Sequence, residues 1–97
     1  MSADRAYPDP ATACFAIRAD AEPGILPRLI EVFAKRKIVP ASVQARRVGA
    51  GRDQLAIDLQ IDGLDPGLAE IIAEAMRQMV SVERVLLAPL RQAAERG

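Results

Sequence analysis

The sequence is poor in the side chains that most often catalyse reactions, bind metal ions or stack on bases. Its 97 residues include no histidine, no tryptophan and one cysteine, and only 3% of them are aromatic. Without histidine, and with no base near Cys14 in the sequence, acid–base or nucleophilic catalysis is poorly supported. We therefore expect no catalytic residues, no metal site and no cofactor. The single cysteine also excludes an internal disulfide bond.

The sequence also lacks a net charge and a long apolar run. Thirteen basic residues balance thirteen acidic ones, so no global field favours nucleic acid or an anionic membrane. No segment approaches the roughly 18 apolar residues of a spanning helix, and the first eleven residues, MSADRAYPDPA, contain no apolar signal-peptide region. We therefore expect a soluble, cytoplasmic protein with neither nucleic acid nor membrane as a partner.

Apolar residues make up 51% of the chain, and their spacing predicts six elements. Alternating apolar and polar residues predict strands over 12–18, 39–48, 54–62 and 82–90. Helical spacing predicts a first helix over 25–36 and a second that begins at Pro66 with Asp65 as its N-cap. The buried stripe of the second helix is predicted to contain Leu68, Ile71, Ile72, Ala75, Met76 and Met79.

The order strand, helix, strand, strand, helix, strand contains an internal repeat, EPGILPRLIEVF and DPGLAEIIAEAM. Two such units predict an α+β fold, a ferredoxin-like two-layer sandwich with an antiparallel sheet and both helices on one face. The domain is expected over 11–90, between a flexible leader at 1–10 and a polar tail at 91–97. Strand two is an outer strand in this topology, so its unpaired edge predicts a homodimer through strand two.

The two copies of the repeat differ in whether a side chain can cap the start of the helix. Asp65 can cap the second helix, whereas the first follows Ala21 and Glu22, which are poor caps. Free N–H groups at a helix start attract a carboxylate, and Gly24 allows a ligand to approach the backbone. With Asp20 or Glu22 holding an ammonium group, the loop is suited to an amino acid. The alternative is that Pro23 and Gly24 only turn the chain and that water caps the helix.

Three segments carry a resemblance to a known family: ADAEPGILPRLIEVFAKRKIVPASVQARRV, LAIDLQIDG and AMRQMVSVERVLL. They resemble the ACT domain, a small regulatory module that binds amino acids, and more closely the small regulatory subunit of acetolactate synthase. The resemblance implies a non-catalytic subunit that activates the thiamine-dependent large subunit in branched-chain amino acid biosynthesis. It also implies an effector site at the dimer interface, between the first loop of one chain and the segment after helix one of the other. That site would comprise Asp20, Ala21, Glu22, Pro23, Gly24, Ile25, Leu26 and Val39.

Two departures from the valine-sensing members of that family concern effector binding. Those members carry Asn three residues before the glycine that corresponds to Gly24, where this chain has Ala21. After helix one they carry a Gly and then an Asn, where this chain has Lys37 and Val39. Each missing hydrogen bond to a charged group weakens binding by about 1.5 to 3 kcal/mol. The resemblance therefore implies a weak response to valine. The alternative is a stand-alone ACT dimer that acts as a scaffold or senses another amino acid.

Two other ferredoxin-like classes fit the residues less well. An RNA-binding module stacks bases on aromatic residues of its first and third strands. The corresponding positions here are Cys14, Ala16, Ala56 and Asp58, which cannot stack bases. A metal-carrying domain of this fold would need paired cysteines in the first loop, ADAEPG, which has none.

Two surface features have no role in these interpretations. A small apolar patch is expected on the open face of the sheet, formed by Cys14, Ala16, Ala56 and Leu86. It either packs against another subunit or is ordinary surface. The only local basic cluster, near the turn after strand two, is formed by Arg46, Arg47 and Arg52. It either contacts an acidic patch on a partner or is solvated.

Overall fold

The computed structural model describes residues 12–89; the predicted leader at 1–10 and the polar tail at 91–97 lie outside this range. The six elements are β1 (Ala13–Asp20), α1 (Ile25–Ala34), β2 (Ser42–Val48), β3 (Gln54–Ile61), α2 (Pro66–Arg77) and β4 (Val82–Pro89). Their order confirms the predicted ferredoxin-like fold. Neither helix in the described range is long and apolar enough to cross a membrane.

The four strands form one antiparallel sheet in the order β2-β3-β1-β4, so β2 is an edge strand as predicted. At one end of the sheet Asp20, Gln54 and Val48 lie in one cross-strand row. At the other end the corresponding row contains Cys14, Gln60 and Ser42. These rows are six residues apart, which corresponds to about 20 Å along a strand. The loop after β1 and the start of β2 therefore lie at opposite ends of the sheet.

One face of the sheet carries the core, and the predicted alternation in β1 and β3 is confirmed. The strand residues buried on this face are Ala13, Phe15, Ile17, Ala19, Ile57, Leu59, Ile61 and Val85. The ring of Phe15 packs edge to face on Phe33 of α1, with 5.5 Å between the ring centroids. The alternate residues face away from the helices and form an open face.

The predicted buried stripe of α2 is partly wrong. Its fully buried residues are Ala69, Ile72, Ala73 and Met76, whereas Ile71 is 58% exposed and Ala75 also faces solvent. The small side chains of Ala69 and Ala73 allow α2 to approach the sheet closely, which turns the larger Ile71 outward. The N-terminus of α2 is confirmed, since Asp65 is its N-cap and Pro66 its first residue.

Three element boundaries differ by two residues or more from those predicted. Helix α1 ends at Ala34 rather than 36, because Lys37 adopts φ 60° and the chain turns back, with Ile38 N–H donating to Phe33 O at 3.0 Å. Strand β2 begins at Ser42 rather than 39, because Pro40 has no N–H for a strand ladder. Strand β1 continues to Asp20, two residues beyond its predicted end, because its pairing with β3 continues.

Candidate functional site

The loop between β1 and α1, residues 20–24, is tied to two other parts of the chain. The N–H of Asp20 donates to the carbonyl oxygen of Ser81 at 2.9 Å, at the turn between α2 and β4. The N–H of Ala21 donates to the carbonyl oxygen of Asp53 at 3.0 Å, just before β3. These bonds hold the loop at the end of β1, where it leads into α1.

The start of α1 has no side-chain cap, as the sequence predicts. Its N-cap is Gly24, and no side chain accepts a hydrogen bond there. One N–H group is nevertheless bonded, because Ile25 donates to Glu22 O at 3.1 Å, and Pro27 has no N–H. The N–H groups of Gly24 and Leu26 have no acceptor among residues 12–89, so two free backbone donors remain at the start of the helix. In α2, by contrast, the first turn is capped by the Asp65 carboxylate.

Neither the backbone nor the packing requires a glycine at position 24. Gly24 has φ −89° and ψ −3°, which any residue adopts. A Cβ atom built on it would meet only the Nη1 atom of Arg28, at 3.7 Å. The missing side chain therefore leaves open space beside the start of α1 that the fold itself does not need.

Arg28 also borders the candidate site, and the sequence analysis did not identify it. Its Nη1 atom borders the open space at Gly24, and its Nη2 atom lies 3.7 Å from Oε1 of Glu22. The guanidinium thus adds a positive charge at the helix end that already carries the positive end of the helix dipole. A basic residue in the first turn of a helix is electrostatically unfavourable, and this was the available sequence signal.

The two acidic residues proposed to hold an ammonium group differ in their surroundings. Oε2 of Glu22 accepts a hydrogen bond from Oγ of the buried Ser81 at 2.8 Å, and Oε1 faces Arg28. Asp20 is exposed, and its carboxylate forms neither a hydrogen bond nor an ion pair within the described range. Asp20 is therefore the carboxylate available to a ligand, whereas Glu22 holds the loop together. Ser81 is 59 residues from Glu22 in sequence, so spacing alone could not reveal this contact.

The other predicted site residues are divided between the two ends of the sheet. Pro23 is exposed, and Ala21 and Leu26 are half-buried in the loop region. The Ile25 side chain is fully buried in the core, so it cannot contact a ligand there. Val39 is 87% exposed and precedes β2, at the end of the sheet opposite the loop. Within a single chain, Val39 therefore does not lie beside the predicted site residues of the loop.

The open face contains the predicted small residues and part of the predicted basic cluster. Ala16 and Ala56 lie half-buried there, but Arg46 and Arg47 lie on opposite faces of the sheet because they are consecutive in β2. The expected cluster is therefore divided.

Burial first, and then the negative charge of Asp58, raise the pKa of the Cys14 thiol above its ordinary value, which disfavours the reactive thiolate.

Comparisons with known proteins agree with this architecture. The chain is similar to the ACT domain of a GTP pyrophosphokinase from Chlorobium tepidum, with 14% identity, a TM-score of 0.65, and coverage of 79% of this chain and 96% of that one. It is also similar to the C-terminal domain of the MgtC protein from Mycobacterium tuberculosis, with 10% identity, a TM-score of 0.66, and coverage of 84% of this chain and 89% of that one. No curated protein matches the sequence. A family model described as an ACT-like domain matches residues 8–94. The chain therefore belongs to the family of ACT-like domains.

Proposed function

We propose that this chain is a regulatory domain that binds an amino-acid effector at the loop between β1 and α1. ACT domains are typically regulatory modules that bind amino acids. The observation that carries the proposal is the start of α1, where the open space at Gly24 borders the Arg28 guanidinium and the N–H of Leu26 in the same turn has no described acceptor. All three favour an anionic group, and neither the backbone nor the packing requires a glycine at position 24.

The two charged groups of an amino acid have separate partners in this loop. The carboxylate accepts hydrogen bonds from Leu26 N–H and Arg28, which combine a backbone donor with a guanidinium. The ammonium group pairs with Asp20, the acidic residue of the loop that has no described partner. The effector side chain then contacts Ala21 and Leu26, both half-buried.

We propose further that two copies pair through β2, which would bring Val39 to the effector site. Side chains from Val43 to Arg47 are exposed on both faces of β2, and Val43 is 43% exposed. In an antiparallel twofold pairing centred on Ala45, Ser42 of one chain would lie opposite Val48 of the other. Val48 is in the row that contains Asp20, so Val39 of the partner subunit would approach the loop end of the sheet.

The partner that we propose for the dimer is the catalytic large subunit of an acetolactate synthase, which the chain would activate. The choice of this partner depends on the resemblance of the sequence to the small subunit of that enzyme. The same resemblance supports a weak response to valine. Ala21 and Val39 replace the two amide side chains of valine-sensing subunits, while backbone recognition at Leu26 is retained.

Amino-acid binding is tested by adding valine, and then the other amino acids, to the labelled protein while its amide NMR signals are followed. We expect signals of residues 20–26 to shift, with a millimolar dissociation constant for valine. Gly24→Asp should abolish the shift by placing a carboxylate in the ligand's position. The substitution should change the free energy of unfolding by less than about 1 kcal/mol, because Asp is a good N-cap.

Arg28→Gln is the second variant, and Arg36→Gln is its matched control. Arg36 follows the other end of α1, where its Nη1 atom donates to Val32 O at 3.1 Å, so the control removes the same charge away from the loop. We expect Arg28→Gln, but not Arg36→Gln, to weaken binding. If no amino acid shifts the loop signals, or if Gly24→Asp leaves them responsive, the proposal is wrong and the scaffold alternative is favoured.

The acetolactate synthase partner is tested separately by mixing the chain with a large subunit from the same genome. We expect turnover to rise and millimolar valine to inhibit only slightly. The double variant Ala21→Asn, Val39→Asn should increase valine sensitivity. Lack of association with the large subunit would refute this partner while leaving amino-acid binding to be judged by the NMR experiment.

A further inference from the structure

Three arginines lie in one cross-strand row on the open face of the sheet. Arg46 of β2 is opposite Ala56 of β3, Ala56 is opposite Arg18 of β1, and Arg18 is opposite Arg84 of β4. Because these positions are in register, their side chains project from the same face of the sheet. Neighbouring strands are about 4.8 Å apart, so the row crosses the sheet over roughly 14 Å. The single alanine in the row leaves a gap between two arginines.

This gap is part of a depression of about 200 Å³, to which all three arginines contribute. Ala16 and Ala56 are half-buried in it, so small side chains leave space between longer ones. Leu86 and Asp58, in the neighbouring row, also border the depression. The bordering side chains therefore carry three positive charges and one negative charge.

The positive charges are not neutralised by other side chains in the described range. None of the three arginines forms an ion pair there, and Arg18 and Arg84 are directly opposite each other on adjacent strands. Like charges in that position destabilise a sheet. Nη1 of Arg18 donates to the neutral side-chain oxygen of Gln54 at 3.3 Å, which orients the guanidinium without neutralising it. The nearby Glu83 accepts from Gln54 Nε2 at 3.0 Å rather than from an arginine.

We infer that this row binds a small anion that carries two or more phosphate or carboxylate groups. Arginine donates paired hydrogen bonds to both oxyanions, and three guanidinium groups in a row suit a ligand with more than one such group. The depression is too small for a large ligand, and no aromatic side chain on the described part of this face would stack on bases. The site is separate from the loop between β1 and α1 and does not depend on its function.

The probes are inorganic pyrophosphate and citrate, which represent the phosphate and carboxylate classes. Each is titrated into the complete chain by calorimetry and NMR, at constant ionic strength maintained with sodium chloride. We expect saturable binding of at least one probe, with shifts of the backbone signals of Arg18, Ala56 and Arg84. The probe that binds more tightly identifies the class of oxyanion.

Arg46→Gln and Arg84→Gln should each weaken binding by about tenfold, the effect of losing one charge-assisted hydrogen bond. The matched control is Arg47→Gln, which removes the same charge from the same strand but from the opposite face. The control should leave affinity nearly unchanged, and Arg28→Gln should do the same. The inference is wrong if Arg47→Gln weakens binding as much as Arg46→Gln does. It is also wrong if neither probe saturates, or if only an oligonucleotide or an acidic peptide binds.

Discussion

At the residue scale, the chain has lysine where the backbone favours glycine, and glycine where the backbone accepts any residue. Lys37 adopts φ 60°, in the left-handed region, where a Cβ atom is unfavourable by about 1 to 2 kcal/mol. Gly24 has an ordinary φ of −89° and open space around it. Stability therefore does not explain Gly24, and the open space beside it agrees with the proposed access of a ligand to the helix end.

Lys37→Gly should raise the free energy of unfolding by about 1 kcal/mol, because glycine adopts the left-handed conformation without a Cβ clash. Urea denaturation measures the change. The control is Lys35→Gly, since Lys35 has φ −62° at the C-cap of α1 and gains nothing from glycine. We expect the control to lower stability by up to about 1 kcal/mol. Equal destabilisation by both substitutions would contradict the prediction.

The residues of the site could be predicted only in part from the sequence. Gly24 and Asp20 were identified because a helix start and its neighbours are adjacent in the chain. Arg28 lies one turn further on, and its position beside Gly24 depends on a side-chain conformation. Ser81 reaches Glu22 across 59 residues, through tertiary structure that no local pattern specifies. The sequence therefore predicts a candidate site at this loop, whereas the side-chain contacts of Glu22 and Arg28 are seen only in the structure.

At the scale of the elements, the two helices contrast in how they begin. The N–H of Leu68 donates to Oδ2 of Asp65 at 3.1 Å, so α2 supplies its own cap. The start of α1 has no such side chain and instead borders the candidate site. A helix start that is left open for a ligand lacks the stabilisation of an N-cap side chain. The contribution of such a cap can be measured in α2.

Asp65→Ala should lower the free energy of unfolding by about 1 kcal/mol, the usual effect of removing an N-cap side chain. Thermal and urea denaturation measure the loss. Glu70→Ala is the control, because it removes the same charge from an exposed position of α2. We expect the control to change stability by no more than about 0.5 kcal/mol. A loss no larger for Asp65→Ala than for Glu70→Ala would show that the cap contributes little.

The element order and the faces of β1 and β3 were predictable because strict alternation specifies which side of a strand is buried. The boundaries were less predictable, because they depend on single residues. Pro40 delays the start of β2, and the conformation of Lys37 ends the α1 segment. The face of α2 was misjudged because hydrophobicity favoured Ile71, while close packing favoured the smaller Ala69 and Ala73.

At the scale of the whole molecule, the sheet has two edges, and β2 is the more exposed one. Its side chains from Val43 to Arg47 are open on both faces, and Val39 just before it is 87% exposed. An unpaired strand edge with exposed apolar residues favours pairing with a second copy. The proposed twofold dimer would cover this edge and leave β4 as the outer strand of a continuous sheet.

Light scattering and sedimentation should give twice the chain mass of 10.4 kDa for the unmodified protein. Ala45→Asp should shift the protein toward monomer, because it places two carboxylates near each other at the centre of the pairing. Ala45 is exposed in the single chain, so the variant should remain folded. Ala75→Asp, at an exposed position of α2, is the control and should remain dimeric. A monomeric unmodified protein at high concentration would refute the dimer.

The carboxylate of Glu22 has two partners, Arg28 on α1 and Ser81 at the turn before β4. A ligand carboxylate that takes Arg28 would compete with Glu22 for it and leave Ser81 as the remaining described partner. Occupancy of the loop and the attachment of the turn before β4 would then be linked through one shared side chain. Through this side chain, a ligand at the proposed effector site would act directly on β4, the outer strand on the far side of the sheet from β2.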